Sequence, residues 1–142
     1  MGSVSLADIV VTPLSTAPAE GGAVMHIMKN TCAGYADFGE AYFSWVGAGS
    51  VKAWKRHKQM VMNLVVPVGR VKFVFWLEST NEFKEQKVGF DHYSRLTVPP
   101  GIWFGFQGLV VPQSLILNIG SIPHDPNEVD RLAISQIKYD WN

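Results

Sequence analysis

Gly49-Ser50-Val51-Lys52-Ala53-Trp54-Lys55-Arg56-His57-Lys58 reads as a strand carrying polar side chains into an apolar run. Forty residues after Lys58, Val98-Pro99-Pro100-Gly101-Ile102-Trp103-Phe104-Gly105-Phe106 turns through Pro-Pro-Gly into an aromatic strand. Between and around them lie further short β-type runs. Ile9-Val10-Val11 is stopped by Pro13. Ala23 to Met28 follows a turn at Pro18-Ala19-Glu20-Gly21-Gly22. Ala41 to Val46 is aromatic and β-branched and ends at Gly47-Ala48-Gly49. Met60 to Val66 is closed by Pro67-Val68-Gly69, and Val71 to Trp76 alternates so weakly that both faces are expected to be covered. Arg95 to Val98 and Leu115 to Ile119 complete the strands. The polar stretch Asn81 to Lys87 is expected to be a loop or short helical turn. Ile122 to Val129 is expected to be a loop, and Arg131 to Asn142 the tail. Short strands separated by Gly and Pro turns predict an all-β sandwich or barrel.

The 142 residues fit one domain spanning the chain, and a hydrophobic content of 47% is ample for a core. Twelve Lys+Arg against twelve Asp+Glu leave no net charge, which argues against nucleic acid or an acidic membrane as partner. The single cysteine, Cys32, excludes an internal disulfide framework and fits a reducing compartment. No secretory signal is recognisable, and no apolar run approaches the roughly 20 residues that span a bilayer. The expectation is a soluble cytoplasmic protein.

His57 is the leading candidate for chemistry. Side chains alternate across a strand, so Lys55 and His57 share one face while Arg56 and Lys58 share the other. A lysine beside a histidine disfavours the imidazolium, leaving a neutral imidazole able to act as a base. The same pair makes an electropositive patch for a phosphate. The plain alternative is a surface histidine on a charged strand edge. His124 sits between Pro123 and Asp125-Pro126, a loop suited to presenting a side chain, although an ordinary solvated loop reads the same way. His26 and His92 are expected to be structural. Trp54, Trp76, Trp103 and Phe106 are core or pocket wall, and an aromatic lining suits a nucleotide base or sugar face. Tyr139-Asp140-Trp141 offers a carboxylate, Asp140, to orient an imidazole. No phosphate-binding glycine loop, Ser/His/Asp arrangement or Cys-x-x-Cys pair is present.

The chain resembles the dTDP-4-dehydrorhamnose 3,5-epimerase family, cupin (jelly-roll) barrels acting on 4-keto-6-deoxy sugar nucleotides. The resemblance runs from about Ile9 to Asp140. It is carried by Gly49 to Lys55, by Val98 to Phe106 with its Pro-Pro-Gly-x-x-x-Gly-Phe core, and by Pro126-Asn127-Glu128 to Ile137-Lys138-Tyr139-Asp140. It implies proton removal beside a C4 ketone and return of a proton to the other face. The family's base position falls on Lys55. His57 matches the second histidine of the His-x-His-Lys stretch in the related sugar-nucleotide 3,4-ketoisomerases. The family's tyrosine falls on Pro123-His124, its orienting acid on Asp140, and its second-motif histidine on Phe104. His57, Lys55, His124 and Asp140 are therefore the expected catalytic residues. Arg56, Lys52, Trp54, Trp103 and Phe106 are the expected substrate contacts. No cofactor is implied, because the ketone itself acidifies its neighbouring C–H bonds. Metal cupins use His-x-His, a nearby Glu and a second-motif His; with Lys55 and Phe104 in two of those places, no metal is expected. The resemblance also implies a homodimer that exchanges N-terminal strands, serving a surface-polysaccharide or glycosylated-metabolite pathway. A 3,4-ketoisomerase, or a barrel that binds a sugar nucleotide or only pairs with itself without turnover, are the alternatives.

Overall fold

The computed structural model describes residues 3–142. Two five-stranded antiparallel sheets face each other as a jelly-roll barrel. One sheet runs, in spatial order, β1 (Val10–Pro13), β9 (Ser94–Val98), β6 (Met62–Val68), β11 (Gln113–Gly120) and β4 (Glu40–Gly47). The other runs β12 (Val129–Arg131), β5 (Val51–His57), β10 (Trp103–Gly108), β7 (Arg70–Leu77) and β8 (Glu82–Gly89). β2 (Thr16–Ala19) and β3 (Gly22–Met25) form a separate hairpin whose strand residues are all exposed.

The alternation of the strands builds the core. Met62, Leu64 and Val66 of β6 point inward with Val71, Phe73, Phe75 and Leu77 of β7, Leu96 and Val98 of β9, and Phe104 of β10. Each such side chain, fully buried, contributes about 1.5–3 kcal/mol. The opposite face of β7 is covered as well, since Lys72 and Val74 are also buried. The tail supplies that cover. Ile137, Tyr139 and Trp141 pack with Trp54, Val74 and Trp103 on the outside of the second sheet. Lys72 lies over the rings of Tyr139 and Trp141, 5.6 and 5.5 Å from their centroids. On the first sheet, the fully buried Arg95 donates to the carbonyls of Ile27 and Ala33 and to Asn63, tying the 27–34 loop to the barrel.

Four segments differ from the sequence expectation. Val129–Arg131, expected to be loop and tail, is strand β12 and pairs with Lys55 to His57 of β5. Glu82–Gly89 is a strand, not a loop or helical turn, and pairs with β7 along its whole length. Its polarity is that of a sheet edge, where one face and one row of backbone groups meet water. Asn81, at φ 54°, makes the turn into it in a left-handed conformation that asparagine tolerates. Pro67 does not close β6: the strand continues to Val68, and a register shift against β11 lets the proline sit where no amide is needed. The strand after Gly22 stops at Met25. No helix among the described residues is long and apolar enough to cross a membrane.

Candidate active site

Strict alternation along β5 would set Lys52 and Lys55 on opposite faces. The pairing of β5 with β10 prevents this. Phe104 faces Lys55, but the next residue, Gly105, faces Ala53, so Trp54 is an extra residue. Such a β-bulge sends two consecutive residues to one side. Ala53 and Trp54 both join the outer cluster, and Lys52, Lys55 and His57 all face inward. Gly105 is required at this step: a Cβ there would lie 2.5 Å from that of Ala53.

The inward face opens on a cavity of about 600 Å³ between the two sheets. Its apolar floor includes Met62, Leu64, Phe104, Phe106 and Ile116. Lys52, Lys55 and Arg131 bring three cations, and among the described residues no carboxylate lines it. Arg131 sits directly opposite Lys55 in the β12–β5 register. Burial, and then the charge of Arg131, hold the Lys55 ammonium below its ordinary pKa; Glu128 opposes this and Lys52 adds to it. The far wall, from β4 and β11, is polar. There the Tyr42 hydroxyl accepts from Asn118 Nδ2 at 3.2 Å, beside Ser44.

Two residues along the same face of β5, His57 Nδ1 lies 2.5 Å from Glu128 Oε1, with both residues at least 96% buried. The other carboxylate oxygen of Glu128 accepts the backbone N–H groups of Lys58, Gln59 and Met60 at 3.1–3.2 Å. Burial alone would raise the Glu128 pKa, but the His57 bond and these amides outweigh it and keep the carboxyl below its ordinary value. For His57, burial is the largest influence and lowers its pKa against the pull of Glu128, with Lys55 and His124 adding to the decrease. The pair is therefore a carboxylate and a neutral imidazole. Because the carboxylate only accepts, Nδ1 carries the hydrogen and Nε2 keeps its lone pair. Nε2 is buried without a partner among the described residues. The imidazole stacks on Phe104, a wall residue of the cavity, with ring centroids 6.0 Å apart and planes 16° apart.

The structure thus brings Lys55, Lys52 and Phe106 together at the cavity, where Trp54 also reaches the wall. His57 does not line it; it lies buried behind the wall residue Phe104. It corrects four expectations. The acid on His57 is Glu128; Asp140 is exposed in the tail and accepts from the Asn142 amide. Arg56 faces outward, paired with Asp130 at 2.8 Å and Glu78 at 3.2 Å. Trp103 lies beneath that guanidinium, 4.6 Å away, and bonds Glu78 rather than the cavity. His124 is exposed and does not line the cavity, although its charge reaches His57. Sequence reading missed Glu128, Tyr42 and Arg131. Glu128 had a signal, being the acid that follows the Pro-His-Asp-Pro turn; Tyr42 and Arg131 had none. Among the described residues, no three His, Cys, Asp or Glu side chains are grouped to hold a metal ion.

The chain matches no family model and no curated protein. Among solved structures it is similar to a dTDP-sugar isomerase from Desulfovibrio desulfuricans G20, with 32% identity, a TM-score of 0.89, and 94% of this chain and 90% of that one covered. It shares its fold with QdtA, a sugar 3,4-ketoisomerase from Thermoanaerobacterium thermosaccharolyticum solved with TDP (16% identity, TM-score 0.78, 94% of each chain covered). It also shares it with the dTDP-4-dehydrorhamnose 3,5-epimerase of Bacillus anthracis, solved with TDP and pyrophosphate (14% identity, TM-score 0.82, 98% of this chain and 87% of that one covered). With one-third identity along nearly the whole of both chains to the first of these, the chain belongs to the cupin family of dTDP-sugar isomerases and epimerases.

Proposed function

We propose that this protein epimerises a nucleotide-linked 4-keto-6-deoxy hexose at a carbon beside its ketone. The observation that carries the reading is the buried His57–Glu128 pair, its Nε2 unpartnered among the described residues, packed behind Phe104 on the same inward face of β5 as Lys55, which lines the cationic cavity. In this reading His57 Nε2 takes the proton from C3 or C5. Glu128 holds the ring in the required tautomer and stabilises the imidazolium that forms. Lys55 stands at the ketone, where the electrons released by C–H cleavage are drawn. Lys52 and Arg131 suit the diphosphate, and the apolar floor suits the deoxygenated C6 methyl. The returning proton comes from the opposite sheet. Tyr42, oriented by Asn118, replaces His124 in that role. No cofactor enters the scheme. TDP in the fold relatives supports a nucleotide ligand. A homodimer completes the proposal: the exposed β2–β3 hairpin and the exposed Phe43 and Trp45 on edge strand β4 are surfaces a second copy would cover.

Incubation of dTDP-, GDP- and CDP-4-keto-6-deoxy sugars in D₂O, followed by NMR, tests this. Deuterium at C3 or C5 is expected, with inversion at that carbon. A product with its ketone at C3 would make the protein a 3,4-ketoisomerase. Binding with no exchange would make it a recognition barrel.

A further inference from the structure

We propose that Lys55 is a covalent catalyst, its ε-amine forming an imine with the substrate ketone at C4. The inference rests on the epimerase reading and deepens it. Lys55 lies in the cavity wall and is half-buried above an apolar floor. Among the described residues its ammonium has no ion-pair partner, whereas Arg56 and Lys58, its neighbours on the outer side, share Asp130. The charges facing it are those of Arg131 across the β12 register, Lys52 on its own strand, and Glu128, which is engaged by His57 and three amides. An amine desolvated beside other cations is the arrangement that makes lysine a nucleophile toward carbonyls at neutral pH. Burial and the charge of Arg131 both favour its neutral form.

The steps balance without an added reagent. The amine lone pair attacks C4 and the carbonyl oxygen takes up a proton, giving a carbinolamine. Loss of water leaves a protonated imine. The iminium draws electrons from the adjacent C–H bond more strongly than a neutral ketone does. His57 Nε2 takes that proton and the electron pair forms an enamine. Reprotonation at the same carbon from the Tyr42 side restores the iminium with inverted configuration. Water then releases the ketone and the amine.

Such an intermediate also constrains the outcome. If the proton returned to C4 instead, the ketone would move to C3 and a secondary C4–N amine would remain, which water does not cleave. An imine on Lys55 therefore belongs with epimerisation and excludes turnover as a 3,4-ketoisomerase.

The test treats the full protein with dTDP-4-keto-6-deoxyglucose and sodium cyanoborohydride at neutral pH, where imines are reduced in preference to ketones. Intact mass should rise by the substrate mass less one oxygen atom, and peptide mapping should place the adduct on Lys55. Lys55→Arg keeps the charge but cannot form the imine; it should lose the adduct and at least 100-fold in deuterium exchange rate. Its TDP affinity should stay within about threefold of the parent value, which reports that the cavity is intact. If the wild-type protein exchanges deuterium with no trapped adduct, or Lys55→Arg exchanges at the parent rate, the imine is overturned while the epimerase reading stands. An adduct shared evenly among several lysines overturns it too. If there is neither exchange nor adduct, both readings fall.

Discussion

The exposed outer charges of β5 are ordinary surface chemistry; the buried His57–Glu128 pair is not. A carboxylate bound by three amides and one imidazole cannot be removed without leaving those donors unpaired. Glu128→Gln is the more informative change. Its amide oxygen can still accept the backbone amides, but its NH₂ group would donate to Nδ1 and force the hydrogen onto Nε2. We expect a folded protein by circular dichroism whose exchange rate falls about 10²–10⁴-fold; an undiminished rate would remove His57 from the base role. The pH profile follows from the same pair. His57 is held below its ordinary value of 6.5, so the acid limb of kcat/KM should lie below that pH. Folded-state pKa values lowered for both His57 and Glu128 mean that the unfolded chain binds protons more readily. Their stabilising effect is complete above about pH 6.5 and is lost as pH falls through the folded values, which urea titrations from pH 7 downward would show as a falling midpoint. The sequence displayed His57 and the side it shares with Lys55. It could not display Glu128 as the partner, because the two lie 71 residues apart and meet only when β12 pairs with β5.

Among the elements, β4 is the one whose surface is unfinished. It forms the edge of its sheet, and Phe43 and Trp45 on its outer side are 63% and 50% exposed. The β2–β3 hairpin is equally bare, and a two-stranded ribbon is marginal in water without something to pack on. Light scattering at micromolar concentration should report a dimer, and Phe43→Ser with Trp45→Ser should shift it to monomer. A parent protein already monomeric would refute the assembly. Apolar strands such as β4, β7 and β11 were readable because alternation or continuous apolarity is a strong signal. β8 was not, since Glu82 to Lys87 carry the polarity of a loop and their strand character comes from pairing with β7. The β5 bulge was equally invisible. It depends on Gly105 in another strand, and without it Lys52 would have been assigned to the wrong face.

Across the whole molecule, equal numbers of acids and bases conceal a sorting by position. Asp130 and Glu78 lie on the outer surface with Arg56, and Glu128 is consumed by His57, so the cavity keeps Lys52, Lys55 and Arg131 unneutralised. Net charge, read as arguing against nucleic acid or an acidic membrane as partner, was silent about this local field. TDP affinity should therefore weaken steadily as salt is raised, while thymidine affinity stays flat. Equal salt dependence for the two ligands would take the diphosphate away from these cations. The bulge at Trp54 has a consequence for kinship as well. Counted in residues, Lys52 and Lys55 have opposite parity; counted in faces, they are neighbours. Removing Trp54 would leave Lys52, Lys55 and His57 in regular alternation on the same side and take away an outer anchor of the tail that also touches the cavity wall. A one-residue gap at this point thus leaves the facing of the three inward side chains unchanged. Descendants of a common ancestor can differ there in length while keeping the same three inward side chains, and a gap-averse alignment would pair the wrong residues.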